Sequence, residues 1–172
     1  MVKFTNFFIP VLKVLSDGKE WSKKDTYEPV AKILGITEEE KRERLASGSL
    51  KYQNRIAWSF LYLSKSGLIV KTKPAFVMIT EEGRKLLKEN PAKIDNNFLM
   101  ERYPKYREWV SSYSQREQQK DDGKKEVLEG LDNCRSVTPE EEIDRACRDL
   151  RENLSDELLE TVKRVDPSFF EK

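Results

Sequence analysis

The chain has 172 residues, of which 37% are charged and 37% apolar, and its mean hydropathy is −0.74. This size and composition predict one domain, or one domain with an appendage, and no apolar run reaches the ~18–20 residues that cross a bilayer. Histidine is absent, which excludes histidine-based catalysis and most zinc sites. The spacing of Cys134 and Cys147 fits neither a redox pair nor a metal site, so we expect a reduced, cytoplasmic setting without a cofactor.

The formal net charge of +1 conceals an asymmetry between the two halves of the chain. Residues 1–90 carry 17 Lys and Arg against 11 Asp and Glu, a net charge of +6. Residues 91–172 carry 15 against 20, a net charge of −5. A basic half followed by an acidic half indicates that the first half contacts nucleic acid.

Apolar spacing and capping signals in the first half predict four helices, a hairpin and a fifth helix. The first four helices are predicted over Phe7–Leu15, Lys23–Leu34 with Ser22 as N-cap, Glu38–Leu45 after a capping box at Thr37, and Tyr52–Ser66. The hairpin strands are predicted at Leu68–Val70 and Phe76–Ile79, and Thr80 caps the helix that follows them. The expected fold class is therefore mainly α with a small β-hairpin.

The second half predicts short helices at Phe98–Met100 and Tyr106–Val110, a polar linker and a final long helix. We expect domain limits at 1–110, 111–137 and 138–172, where the last range is a helical connector. The final helix begins at Thr138–Pro139 and carries apolar residues at Ile143, Ala146, Cys147, Leu150 and Leu154. That apolar face fits either a dimer interface or an intradomain contact.

A cluster of helices that leads directly into a basic hairpin is typical of a winged helix-turn-helix, which binds double-stranded DNA. The last helix of the cluster enters the major groove, where Asn or Gln reads adenine and Arg reads guanine, and hairpin lysines contact phosphates. The candidate DNA-binding residues are Lys51, Tyr52, Gln53, Asn54, Arg55, Trp58, Tyr62, Lys71 and Lys73. The alternative interpretation is a solvated helix start, a core position for Trp58 and an ordinary hairpin turn.

Two tripeptides match the spacing that metal-dependent nucleases use, Glu39–Lys41 and Gln118–Lys120. That chemistry needs the acidic groups side by side on adjoining strands, whereas neither tripeptide lies in a strand pattern. Such tripeptides are common by chance in a charged chain. We therefore predict no catalytic residue and no metal site.

Several stretches resemble the N-terminal domain of Mrr-type restriction endonucleases. They are Phe8–Leu12, Tyr52–Trp58, Leu63–Leu68 and Ile79–Gly83. Three later stretches resemble the connector of that family and the first residues of its nuclease domain: Thr138–Glu141, Leu158–Leu159 and Asp166–Glu171.

The resemblance implies a winged helix that binds DNA. In full-length members a Mg²⁺-dependent nuclease follows and cuts DNA that carries modified bases. Because the chain stops at Lys172, the resemblance implies a targeting part without catalytic residues, either truncated or stand-alone. Double-stranded DNA, methylated DNA included, is the expected partner, and the C-terminal helices are the expected contact of a homodimer.

Two other functions fit the same residues. A transcription regulator uses this fold with the C-terminal helices as its dimer interface. A protein-interaction module uses an exposed Trp58 as a contact hot spot. A reading frame that continues beyond Lys172 into a nuclease favours restriction over regulation. Loss of DNA binding on charge reversal at Arg55 and Lys73 favours a DNA-binding domain over a protein-interaction module.

Overall fold

The computed structural model describes residues 3–118 and 137–164, and the chain divides into two compact units, residues 1–138 and 139–172. The α-helices are α1 Phe8–Val14, α2 Tyr27–Leu34, α3 Glu38–Arg42, α4 Lys51–Lys65, α5 Glu81–Glu89, α6 Asn96–Arg102, α7 Pro104–Gln118 and α8 Pro139–Arg164. The strands are β1 Trp21–Ser22, β2 Ile69–Lys73 and β3 Phe76–Ile79, and short 3-10 helices cover Phe4–Phe7 and Leu15–Asp17. The prediction of a mainly helical protein with a small sheet is confirmed.

The sheet has three antiparallel strands in the order β1-β3-β2, where the sequence predicted two. Trp21 and Lys71 both lie opposite Val77, one on each side of the central strand. The strand β1 was missed because it has only two residues, and Ser22 has the side chain of a helix N-cap. The helix α2 instead follows Thr26, whose hydroxyl donates to the carbonyl oxygen of Lys23 at 2.6 Å.

The capping predictions for the two acidic helix starts are confirmed. The Thr37 hydroxyl accepts from the Glu40 amide, and the Glu40 carboxylate accepts from the Thr37 amide, which is a capping box. Thr80 likewise accepts from the amide of Gly83 at the start of α5. The helix α3 ends at Arg42, three residues before the predicted end at Leu45.

The helix α4 is the central element of the first unit. It packs against the first 3-10 helix and against α1, α2, α3, α7 and β2. The predicted seam of Ile56, Phe60 and Leu63 is fully buried. Because neighbours lie on several sides of α4, its buried face is wider than that seam and also takes in Tyr52, Arg55, Ser59 and Tyr62.

The segment after α5 is more helical than the sequence predicted. The helix α7 begins at Pro104 and continues past residue 110, where we expected the first domain to end. Cys134 and Lys120 lie outside the described residues. The helix α8 runs unbroken from Pro139 through Ser155 to Arg164. In residues 3–118 and 137–164 no helix has the length and apolarity needed to cross a membrane.

Candidate nucleic-acid interface

Three of the candidate DNA-binding side chains are buried. Tyr52, Arg55 and Tyr62 are 7%, 5% and 6% exposed. The sequence analysis listed them as DNA contacts, but helices and the N-terminal 3-10 segment cover their part of α4. In this conformation their side chains do not offer a surface to a DNA groove.

Tyr62 illustrates the cause, since it lies at the centre of an aromatic cluster. Its ring centroid is 5.1 Å from that of Phe4, 6.0 Å from Tyr106 and 5.8 Å from Trp109. Trp58 is half-buried and lies at the rim of this cluster, with its ring 6.3 Å from Tyr62. The cluster therefore joins α4 to the N-terminal segment and to α7.

Two of the candidate lysines are held by carboxylates. The Lys51 ammonium lies 3.1 Å from the Glu43 carboxylate, and the Lys73 ammonium lies 3.1 Å from Glu20. Hydrogen bonds from Thr72 and then from Lys73 lower the pKa of Glu20, so the carboxylate stays ionised beside the hairpin. Each pair removes much of the net positive charge that a phosphate would meet.

Lys71 has a different environment. Among the described residues it makes no ion pair, and its strand position is exposed. The side chain of Lys71 lies close enough to Lys23 to act on its charge: the pKa of Lys23 is lowered first by partial burial of the side chain and second by the positive charge of Lys71. We call the surface formed by these two residues the Lys23–Lys71 surface.

The position of Lys23 depends on the sheet and on α4. Its amide donates to the carbonyl oxygen of Ala75 at the hairpin turn, 2.9 Å away. Its ammonium lies 5.9 Å from the centroid of the Phe60 ring on α4. The Lys23–Lys71 surface therefore lies where β1, the hairpin and α4 meet. Within residues 3–118 and 137–164 neither lysine forms a salt bridge, and two neighbouring ammonium groups of this kind favour a bound anion.

Lys23 was missed among the candidate residues. The sequence analysis placed it inside a helix, whereas it follows β1 and is hydrogen-bonded to the hairpin. In the sequence, Lys23 stands out only as one of two consecutive lysines, Lys23 and Lys24, after Trp21–Ser22. Its place beside the hairpin becomes evident only when β1 is known to pair with β3.

The side chains of Gln53 and Asn54 are half-buried on the first turn of α4. The Gln53 amide donates to the Tyr52 hydroxyl at 3.1 Å. The Asn54 Oδ1 atom accepts from the hydroxyl of Thr138 at 2.8 Å, and Thr138 is fully buried. In a paired contact with adenine, that oxygen accepts from the exocyclic amino group. The hydroxyl of Thr138 therefore occupies the Asn54 Oδ1 atom, which is the acceptor that an adenine would need.

The first nuclease-like tripeptide lies in a helix, as its surroundings predicted. Lys41 pairs with Glu28 at 2.8 Å and with Glu38 at 2.9 Å, which fixes α3 to α2. In the part of the chain that the structure describes, no group of three or more Cys, Asp or Glu residues is placed to hold a metal ion. The second tripeptide, Gln118–Lys120, is not within the described side chains.

A family model, the Mrr N-terminal domain, matches residues 4–89. This range begins at the first 3-10 helix and ends with α5, so it includes α4, the whole sheet and the Lys23–Lys71 surface. The chain belongs to the family of Mrr N-terminal domains.

A curated relative is the type IV methyl-directed restriction enzyme EcoKMrr of Escherichia coli strain K12. The two are 26% identical over 172 residues, an alignment that covers 98% of this chain and 55% of the relative. The chain thus spans about half the length of the curated relative it matches. No solved structure gives a significant match.

Proposed function

We propose that this chain is the DNA-binding part of a restriction system, built as a winged helix-turn-helix. The exposed side of α4 enters the major groove, and the Lys23–Lys71 surface binds phosphates beside it. The observation that supports the proposal is that α4, the hairpin and the Lys23–Lys71 surface lie next to one another, and that these two lysines form no salt bridge with any described residue. We further propose that this chain prefers modified DNA. We propose that it does not itself cleave DNA.

The order of elements supports the winged helix. A short strand between α1 and α2 pairs with the second strand of a hairpin that directly follows α4. This pairing fixes the hairpin next to α4, which packs against β2. In helix-turn-helix proteins the recognition helix lies in the major groove, and an adjacent basic element contacts the backbone.

The family and the relative support the choice of partner. The chain belongs to the Mrr N-terminal domains, and the relative in Escherichia coli is named a methyl-directed restriction enzyme. By similarity to this relative, we propose that the chain recognises methylated DNA. Of the candidate base-reading residues, Gln53, Asn54 and Trp58 retain partial exposure on α4. The neighbouring Ala57 is exposed and lets a groove approach the helix closely.

The direct test is fluorescence anisotropy with labelled duplexes of one sequence. The duplexes are unmodified, or carry methyladenine, or carry methylcytosine, and each is titrated across a salt series. We expect binding that weakens steeply with salt, because phosphate contacts release counterions. Binding that is absent from all three duplexes, or that does not change with salt, contradicts the proposal.

Replacing Lys71 by alanine is expected to weaken DNA binding about threefold to tenfold and to reduce the slope of log K against log salt by about 1. The reason is that Lys71 supplies a phosphate contact and carries no base information. The loss is therefore expected to be equal for modified and unmodified duplexes.

The matched control for this prediction is Lys88→Ala, because Lys88 is also exposed and lies on the last turn of α5 rather than on the hairpin. It is expected to leave the affinity and the salt slope close to those of the unchanged protein. Equal losses in the two variants indicate general electrostatic attraction and refute a specific role for the hairpin.

Replacing Thr138 by valine is expected to tighten DNA binding about threefold to tenfold if Asn54 reads a base. Valine keeps the shape of threonine and removes the hydroxyl that donates to Asn54 Oδ1. No charge changes, so the salt slope is expected to stay the same. The measurement is the same anisotropy titration at one salt concentration, followed by the salt series.

The control for the valine variant is a double-mutant cycle with Asn54→Ala. When Asn54 is alanine, Thr138→Val is expected to have no further effect on DNA binding. If valine tightens binding equally in both backgrounds, Thr138 acts elsewhere and Asn54 is not the base-reading group.

A further inference from the structure

We propose that the α8 helices of two copies of this chain pair with each other in antiparallel orientation through one apolar stripe. The proposal concerns the second unit alone and does not depend on DNA binding by the first. The helix α8 has 26 residues and is therefore about 39 Å long.

The stripe consists of side chains that stay exposed in the single chain. Ile143 is 62% exposed, Leu150 68%, and Leu154, Leu158 and Val162 each more than half. Cys147 is exposed between the first two. At about 100° per residue these six positions lie within an arc of about 120° along the whole helix. An apolar stripe of this length favours burial against another helix.

The pattern of the stripe is self-complementary when two copies run in opposite directions. With the two-fold axis close to residue 152, Leu150 of one copy lies opposite Leu154 of the other. Cys147 then lies opposite Leu158, and Ile143 lies opposite Val162. A two-fold axis uses the same surface on both copies, so every contact is made twice.

Charge at the ends of α8 selects the antiparallel orientation. The first turn carries Glu140 and Glu142, which keep part of their side chains accessible, whereas the exposed Lys163 lies in the last turn. An antiparallel pair brings the acidic end of one helix beside the basic end of the other, and opposes the two helix dipoles. A parallel pair places the acidic turns of both copies side by side.

The area of the stripe fits a homodimer in reversible equilibrium with the monomer. Six side chains per copy, at roughly 100 Å² of exposed surface each, give on the order of 1,000 Å² buried in the pair. That area is near the lower limit for a specific interface. We therefore expect association that depends on protein concentration in the micromolar range.

The test is sedimentation or light scattering of the full chain over a concentration series. The unchanged protein is expected to pass from monomer to dimer, and Leu150→Glu is expected to raise the dissociation constant at least about tenfold. Leu159→Glu is the matched control, because Leu159 is also exposed on α8 but lies about 180° around the helix from Leu150. A monomer at all concentrations, or equal effects of the two glutamates, overturns the proposal.

Cross-linking tests the orientation in a protein whose stripe is otherwise intact. In a Cys134→Ser background, Leu158→Cys is expected to give a disulfide-linked dimer under mild oxidation, because residues 147 and 158 of different copies are adjacent. The two positions are about 16 Å apart within one helix, too far for an internal disulfide. The background protein with Cys147 alone is expected to stay uncross-linked. A Cys147–Cys147 dimer, or no cross-link with Leu158→Cys, overturns the antiparallel arrangement.

Discussion

Replacing Tyr62 by alanine is expected to lower the free energy of unfolding by about 3–5 kcal/mol, the usual cost of removing a large aromatic side chain from a core. Tyr62 is 6% exposed, and its ring contacts Phe4, Phe8, Trp58, Tyr106 and Trp109. Alanine leaves a cavity where the N-terminal segment, α4 and α7 meet. Urea denaturation followed by circular dichroism measures the loss.

The matched variant is Tyr62→Phe, which keeps the ring and is expected to lose a much smaller part of the stability. Because Tyr62 is buried, the folded phenylalanine variant is also expected to bind DNA as the unchanged protein does. A selective loss of DNA affinity in a fully folded Tyr62→Phe variant would restore the original assignment of Tyr62 to the DNA surface. Unchanged stability of Tyr62→Ala would contradict the aromatic cluster.

Replacing Gly83 by valine is expected to cost about 3 kcal/mol of unfolding free energy. Gly83 lies in the first turn of α5, and a Cβ atom there would overlap the backbone oxygen of Leu68 and the side chain of Ile79. The backbone oxygen cannot rotate away, so the helix itself must move. That movement breaks the hydrogen bond from the Gly83 amide to Thr80, which in turn donates to the carbonyl oxygen of Gly67.

The control for the steric argument is Lys88→Val, which places the same side chain at an exposed position of the same helix. It is expected to cost about 0.5 kcal/mol, from the lower helix propensity of valine alone. Thermal or urea unfolding of both variants is the measurement. Equal losses would show that helix propensity, and not the close approach of α5 to Leu68, accounts for the effect.

The elements that the sequence predicted well are those with strong local signals. The capping box at Thr37 and the cap at Thr80 are set by residues three positions apart, and the hairpin by residues no more than ten positions apart. The apolar spacing of Ile56, Phe60 and Leu63 likewise predicted one buried side of α4. Such features need no knowledge of what packs against them.

The errors came from features that depend on partners distant in sequence. Trp21–Ser22 becomes a strand only because it pairs with β3, more than fifty residues later. Arginine and tyrosine commonly contact the grooves of DNA, so Arg55 and Tyr62 were candidates, but neighbouring elements cover both side chains. The residues that we propose to contact DNA are therefore Gln53, Asn54, Trp58 and those of the Lys23–Lys71 surface, and no longer the buried side chains of α4.

The charge environment of the hairpin lysines was also beyond sequence reasoning. Lys71 and Lys73 are two residues apart and looked equivalent. The β-bulge between them changes the register, and Glu20 pairs with Lys73 alone. Only the three-dimensional arrangement separates a neutralised lysine from one that remains available to an anion.

Among the strands that the structure describes, β2 lies at an edge of the sheet and pairs with β3 alone. Residues 70–73 are all exposed, and Val70 has a β-branched apolar side chain. An open edge of this kind can pair with the edge of another molecule and start aggregation, and lysines on the strand oppose such pairing by keeping the edge hydrated and mutually repulsive. Lys71 and Lys73 are therefore expected to oppose edge-to-edge pairing of the sheet, a role that does not depend on the proposed binding of DNA. Their removal in engineered variants carries a cost in aggregation that is separate from any loss of affinity.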